Sequence, residues 1–150
     1  MVNYKIKELT KEDLQEDKQG FLKSLSNLTD APNMSLSEME KILLRINNQS
    51  GHVYIAKTEQ NEIIGTATLL IEQKFIHSGG KVGHLEDVAV KKEYEKNGVA
   101  SRIINTIVNL AEKEGCYKVI LDCENKLVPY YNKFEFIEKG KLMRRDIKKI

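Results

Sequence analysis

The chain has 150 residues, enough for one domain with a real core and not for two. Its 41% hydrophobic and 31% charged residues fit a soluble globular protein, and a net charge of +2 is too small to argue for nucleic-acid binding. No apolar run approaches the ~20 residues needed to cross a bilayer, and the first residues hold no apolar signal core, which points to the cytoplasm.

The predicted elements alternate strand and helix from end to end, with no repeat and no low-complexity linker. Tyr4 to Leu9 alternates like a half-buried strand. Thr10 with Asp13 forms a helix-start box, and Leu14, Phe21, Leu22 and Leu25 recur behind it at helical spacing. Asp30 to Asn33 is a turn. Ser35 with Glu38 opens a second helix that buries Met39, Ile42, Leu43 and Ile46. Val53 to Thr58 and Glu62 to Lys74 form a hairpin, Ser78-Gly79-Gly80 a tight turn, and Val82 to Val90 a further strand.

Gly98 to Glu114 has the strongest helical pattern, with Val99, Ile103, Ile104, Ile107, Val108 and Ala111 on one wide apolar face. Gly115 ends it. The nearly continuous apolar run Tyr117 to Cys123 predicts a strand buried on both faces. Leu127 to Phe134 reads as a short helix, and Phe136-Ile137 and Lys141 to Ile147 as two last strands. This order predicts an α/β (α+β) fold: a mixed, mostly antiparallel central sheet with helices on both faces, in one domain over residues 1–150. Cys116 and Cys123 match neither a zinc spacing nor a disulfide scaffold, so both read as reduced core thiols. No histidine has metal-ligand spacing, and no metal is expected.

The chemistry concentrates after Val90. A strand, a polar loop and a helix opening at Gly98-Val99-Ala100 aim backbone N–H groups and the positive end of the helix dipole at one point, where an anion such as a diphosphate fits. By itself this arrangement is also that of an ordinary connector. Glu86 and Asp87 are adjacent on the strand before it, so they face opposite sides unless a bulge intervenes.

The residues Gly83 to Val90, Cys116 to Cys123 and Tyr130-Tyr131-Asn132-Lys133-Phe134 resemble the GNAT acetyltransferases. The branch acting on glucosamine 6-phosphate is the most similar. Gly20 to Leu25, Leu28-Thr29, Lys74 to His77 and Arg144-Arg145 extend the resemblance over nearly the whole chain. It implies the GNAT fold and transfer of an acetyl group from acetyl-CoA to the amine of glucosamine 6-phosphate. It also implies a homodimer that exchanges its last strand and shares the active site, with Arg145 serving the neighbour.

By the same resemblance, Val88, Ala89 and Val90 pair with the pantetheine amides, and Lys96, Asn97, Gly98, Val99, Ala100 and Ser101 hold the diphosphate. Glu86 orients or deprotonates the amine, Asp87 fixes the sugar, and Tyr131 meets the leaving thiolate. Thr29, Lys74, His77 and Arg145 are candidates for the sugar phosphate, with Asp122 for the amine or hydroxyls.

Three positions depart from the family. Its diphosphate signature, Arg/Gln-x-x-Gly-x-Gly/Ala, reads Glu95-Lys96-Asn97-Gly98-Val99-Ala100 here, and an ionised Glu95 cannot donate to phosphate, a loss that Lys96 compensates. Leu127 replaces an Asn, and Glu135 replaces a Gly. Two other readings compete: an acetyltransferase of this family acting on a protein N-terminus, a polyamine or an aminoglycoside, and an acetyl-CoA-binding module without catalysis.

Overall fold

Two helices start in the same way. Thr10 Oγ1 accepts from the Asp13 N–H at 3.2 Å while Asp13 Oδ2 accepts from the Thr10 N–H at 2.9 Å. Ser35 and Glu38 repeat the exchange at 3.2 and 2.8 Å. Each box satisfies N–H groups that a helix start leaves without partners. Both boxes stand where the sequence places them.

The computed structural model describes residues 1–149. Its elements are β1 (Tyr4–Glu8), α1 (Lys11–Leu25), α2 (Leu36–Asn48), β2 (Gly51–Thr58), β3 (Ile63–Gln73), the single turn α3 (Ile76–Gly79), β4 (Lys81–Val90), α4 (Val99–Lys113), β5 (Cys116–Ile120) and α5 (Val128–Asn132). The chain divides into two units, Met1–Ile120 and Leu121–Ile150.

In the first unit the five strands form one sheet in the order β1-β2-β3-β4-β5. The first four are antiparallel neighbours, and β5 joins β4 in parallel. Val53 and Ile55 of β2 pack with Leu14 and Leu22 of α1 and with Met39 and Leu43 of α2. The opposite face belongs to α4. A Cβ on Gly65 would lie 3.0 Å from Val99 and 3.3 Å from Ile103, and one on Gly83 would lie 3.4 Å from Ala111. The helices thus cover both faces, and Val99, Ile103, Ile104, Ile107 and Ala111 are buried as their spacing predicts. Val108 is half-buried, as are Ile42 and Ile46 of α2.

The α1 helix kinks at Asp17, whose φ is −147°. The carboxylate recaps the second half by accepting from the Gly20 N–H at 2.9 Å, and it also accepts from the Ile63 N–H at 2.7 Å. A side chain at Gly20 would collide with that carboxylate. A buried ion cluster ties the front of α1 to the sheet. Asp13 accepts from Lys57 at 2.7 Å and from Lys7, and Lys57 also pairs with Glu16. Burial alone pushes the Asp13 carboxyl up, but bonds from Lys57, Lys7 and Thr10 outweigh it and hold the group well below the usual carboxylate range.

Two expectations fail at the carboxyl end of the sheet. The strand predicted over Tyr117 to Cys123 stops at Ile120 and is not buried on both faces: Tyr117 is 41% exposed and Ile120 40%. β5 is the sheet's last strand, so its apolar run belongs to an edge. Cys116 and Cys123 are accordingly half-buried, not core fillers. Nor do Phe136-Ile137 and Lys141 to Ile147 form strands within the described residues. A strand needs a neighbour for its N–H and C=O groups, and this segment pairs with none in a single chain.

In the second unit, a short 3-10 turn at Asn125–Leu127 leads into α5, with Pro129 in its first turn. Tyr131 is buried there, with the Tyr130 ring at 5.4 Å and the Phe136 ring at 6.1 Å. Glu135 takes the left-handed conformation, φ +64°. Glycine adopts this conformation freely, and a side chain makes it costly.

Two stability predictions follow from this fold. Asp13→Asn strips Lys57 of a buried partner and costs about 3 kcal/mol in urea denaturation at pH 7. Because the Asp13 carboxyl is depressed in the folded state, its contribution is complete above about pH 4 and fades as pH falls. The gap between wild type and variant therefore narrows in acid; a gap that stays constant down to pH 2 contradicts the assignment. Glu135→Gly relieves backbone strain at the expense of chain entropy and stabilises by about 0.5–1 kcal/mol, read as a raised Tm.

Candidate active site

The centre of the site is a bulge in β4. Thr68 pairs with Glu86 and Thr66 with Ala89, so Asp87 and Val88 together stand opposite the single residue Ala67. Asp87 absorbs the extra residue in a left-handed conformation, φ +52°. The strict alternation of side chains is suspended there, so Glu86 and Asp87 are not forced to opposite faces. Glu86 is half-buried and Asp87 exposed.

The same strand parts from β5. Among the described residues their pairing runs only from Lys81↔Cys116 to His84↔Ile120. From Leu85 to Val90 that edge of β4 is not taken up by β5. Val88 is half-buried there, and Ala89 and Val90 are buried. An extended chain of amides fits such an edge as an added strand.

The loop after Val90 is held from three sides. The Lys91 N–H donates to Ile64 O at 2.9 Å. Glu62 accepts from Lys91 Nζ and from the Tyr94 hydroxyl, both at 2.7 Å. Burial would raise the Glu62 carboxyl, but these two bonds hold it below its ordinary value. Lys23 pairs with Glu93, and Asn27 Nδ2 donates to Val90 O at 2.9 Å and to Glu95 Oε1 at 2.8 Å. None of these anchors is visible in the sequence, because Lys23, Asn27 and Glu62 lie 29 or more positions from their partners.

Beyond the anchors the backbone turns left-handed at Lys96, φ +63°, and at Gly98, φ +74°. Gly98 caps α4 without a side-chain hydrogen bond. Nothing lies within 4 Å of where its Cβ would be. The glycine therefore answers to φ and to open space, not to packing. Asn97, Gly98, Val99, Ala100 and Ser101 form the helix start, with Lys96 exposed before it. The N–H groups and the dipole at a helix start favour an anion. A cleft of about 690 Å³ opens beside it, bordered by Asn97, Gly98, Arg102, Tyr4, Lys5 and Lys57.

The remaining candidates lie apart. Thr29 is exposed just beyond α1, two residues after Asn27. Lys74 and His77 stand past the Gln73↔Lys81 end of the β3–β4 hairpin. Six residue steps separate Thr68, opposite Glu86, from Lys74, about 20 Å at ~3.3 Å each. Lys74 Nζ pairs with Glu72 at 2.6 Å, and Glu72 also meets His84 at 2.8 Å. The hydrogen bond with Glu72 raises the Lys74 pKa. His77, φ +52°, stacks near Tyr117 at 4.5 Å.

In the second unit Asp122 and Arg145 are both exposed. Burial, with the charges of Cys123, Tyr130 and Asp122, pushes the Tyr131 hydroxyl up to about 12, so it keeps its proton at neutral pH.

These features together define a class. The Acetyltransferase (GNAT) family matches residues 13–136, and the chain belongs to it. Within that class, a glucosamine 6-phosphate N-acetyltransferase of Trypanosoma brucei brucei is 35% identical over 135 residues, covering 89% of this chain and 91% of that protein. The crystal structure of a Trypanosoma brucei acetyltransferase superposes with a TM-score of 0.89 at 32% identity, over 97% of this chain and 100% of that one. That of glucosamine-6-phosphate N-acetyltransferase from Arabidopsis thaliana gives 0.90 at 26%, over 97% and 99%.

Gly98→Ala tests the anion seat. No neighbour opposes the new methyl group, so the fold loses only about 1–2 kcal/mol of backbone ease. We expect a Tm only a few degrees lower and affinity for coenzyme A reduced more than tenfold in calorimetry. Unchanged affinity contradicts the seat.

Proposed function

We propose that this chain transfers the acetyl group of acetyl-CoA to the amine of glucosamine 6-phosphate, giving N-acetylglucosamine 6-phosphate and free coenzyme A. The observation that carries the reading is the bulge at Asp87–Val88 on an edge of β4 that β5 leaves open, next to the left-handed cap of α4. Relatives named for this reaction, similar over most of their length, support the choice of acceptor. The family match runs across the division of the chain into two units and supports their working as one acetyltransferase domain.

Acetyl-CoA acts as co-substrate, its diphosphate on Lys96 to Ser101 and its pantetheine arm along Val88 to Val90. The amine nitrogen attacks the thioester carbon, the C–S bond breaks, and the amine proton leaves to a base. Glu86 takes that proton or orients the amine, directly or through a water. A backbone N–H of the bulge supports the developing oxyanion. Asp87 and Asp122 fix the sugar. Tyr131 answers to the thiolate. A phenol titrating near 12 is too weak an acid to surrender its proton fully to a thiolate of ordinary pKa, about 8.5, so its role is that of a hydrogen-bond donor. Holding both substrates together supplies much of the acceleration.

The sugar phosphate calls for cations and donors, for which Thr29, Lys74, His77 and Arg145 are the candidates. Lys74 and His77 stand past the far end of the hairpin from Glu86, for Lys74 about 20 Å along the strand. This supports a homodimer in which the partner supplies them. The segment 141–147 supports it as well: Leu142, Met143 and Ile147 are 69–88% exposed on a stretch whose pattern is that of a strand. The reading implies a cytoplasmic enzyme. No described helix is long and apolar enough to cross a membrane.

The test is thiol release over amino sugars with and without phosphate. Glucosamine 6-phosphate is expected to react at least tenfold faster than glucosamine at equal concentration; equal rates remove the phosphate argument. Glu86→Gln and Tyr131→Phe are each expected to lower kcat by about 10²-fold, with the acetyl-CoA KM little changed. Full activity in both variants overturns their assignment.

A further inference from the structure

Asn27 follows the end of α1 and joins two parts of the coenzyme loop. Its single amide nitrogen carries two hydrogens, one for the Val90 carbonyl and one for the Glu95 carboxylate. Val90 is the last residue of β4, and Glu95 immediately precedes the left-handed turn from Lys96 to Gly98. A carboxylate at Glu95 has the same sign as any diphosphate seated at the start of α4, and at short range the repulsion is substantial.

We propose that Asn27 is a positioning residue for the coenzyme: it restrains the Glu95 carboxylate beside the turn whose N–H groups meet the diphosphate. The proposal rests on the acetyl-CoA reading above. Two features separate this role from simple support of the loop. The flanks of the loop are held independently by Glu62 with Lys91 and Tyr94, and by Lys23 with Glu93. Asn27 is itself exposed, so its loss opens no cavity. Removing its side chain therefore frees the Glu95 charge while the loop stays anchored.

The experiment titrates full-length wild type, Asn27→Ala, Glu95→Gln and the double variant with coenzyme A, and with pantetheine, which lacks the diphosphate and nucleotide. Asn27→Ala is expected to weaken coenzyme A binding about tenfold while changing pantetheine affinity less than about twofold. In the double variant the carboxylate is gone, and coenzyme A affinity is expected to return to within about twofold of Glu95→Gln. The inference is overturned if Asn27→Ala binds coenzyme A like wild type, if pantetheine weakens equally, or if the double variant stays as weak as Asn27→Ala. Wild type that fails to bind coenzyme A instead overturns the acetyl-CoA reading itself.

Discussion

The slot in this protein depends on the left-handed backbone of Asp87. One extra residue in β4 bends the strand just beyond the last pair it shares with β5. Hydrogen bonds to β3 continue on the other edge, so the bend opens the sheet on one side only. An open strand edge is ordinarily a liability, because its N–H and C=O groups invite another chain. In the proposed function it is a template for a substrate arm that carries amides of its own.

The loop after β4 has to be rigid for that template to be useful. A flexible loop loses conformational freedom on binding and weakens affinity accordingly. The chain answers with ties from separate elements: Glu62 at the start of the β3 segment, Lys23 within α1, and Asn27 just after it. The altered signature at Glu95 is part of the same arrangement. A residue that cannot donate to phosphate instead accepts from Asn27.

Local signals were legible in the sequence. The boxes at Thr10–Asp13 and Ser35–Glu38, the apolar face of α4, and the glycine that ends it all stand where spacing puts them. Position Glu135 was legible as a departure, and its φ of +64° explains why a glycine is usual there. The bulge was not, because the residue that adopts the left-handed turn is an aspartate and not a glycine. The run from Tyr117 looked buried on both faces because apolar content does not distinguish a central strand from an edge strand. The tail from Lys141 kept a strand-like pattern that no neighbour in one chain satisfies. Asn27 and Glu62 were invisible as anchors, since long-range pairing leaves no periodic trace.

The account's central claim is that the open edge of β4 and the start of α4 together receive acetyl-CoA. Hydrogen–deuterium exchange measured with and without acetyl-CoA tests it most directly. The account predicts slowed exchange at the amides of Val88 to Val90 and of Gly98 to Ser101, with little change along β1 and β2. Bound acetyl-CoA that leaves both segments exchanging at their free rates contradicts it.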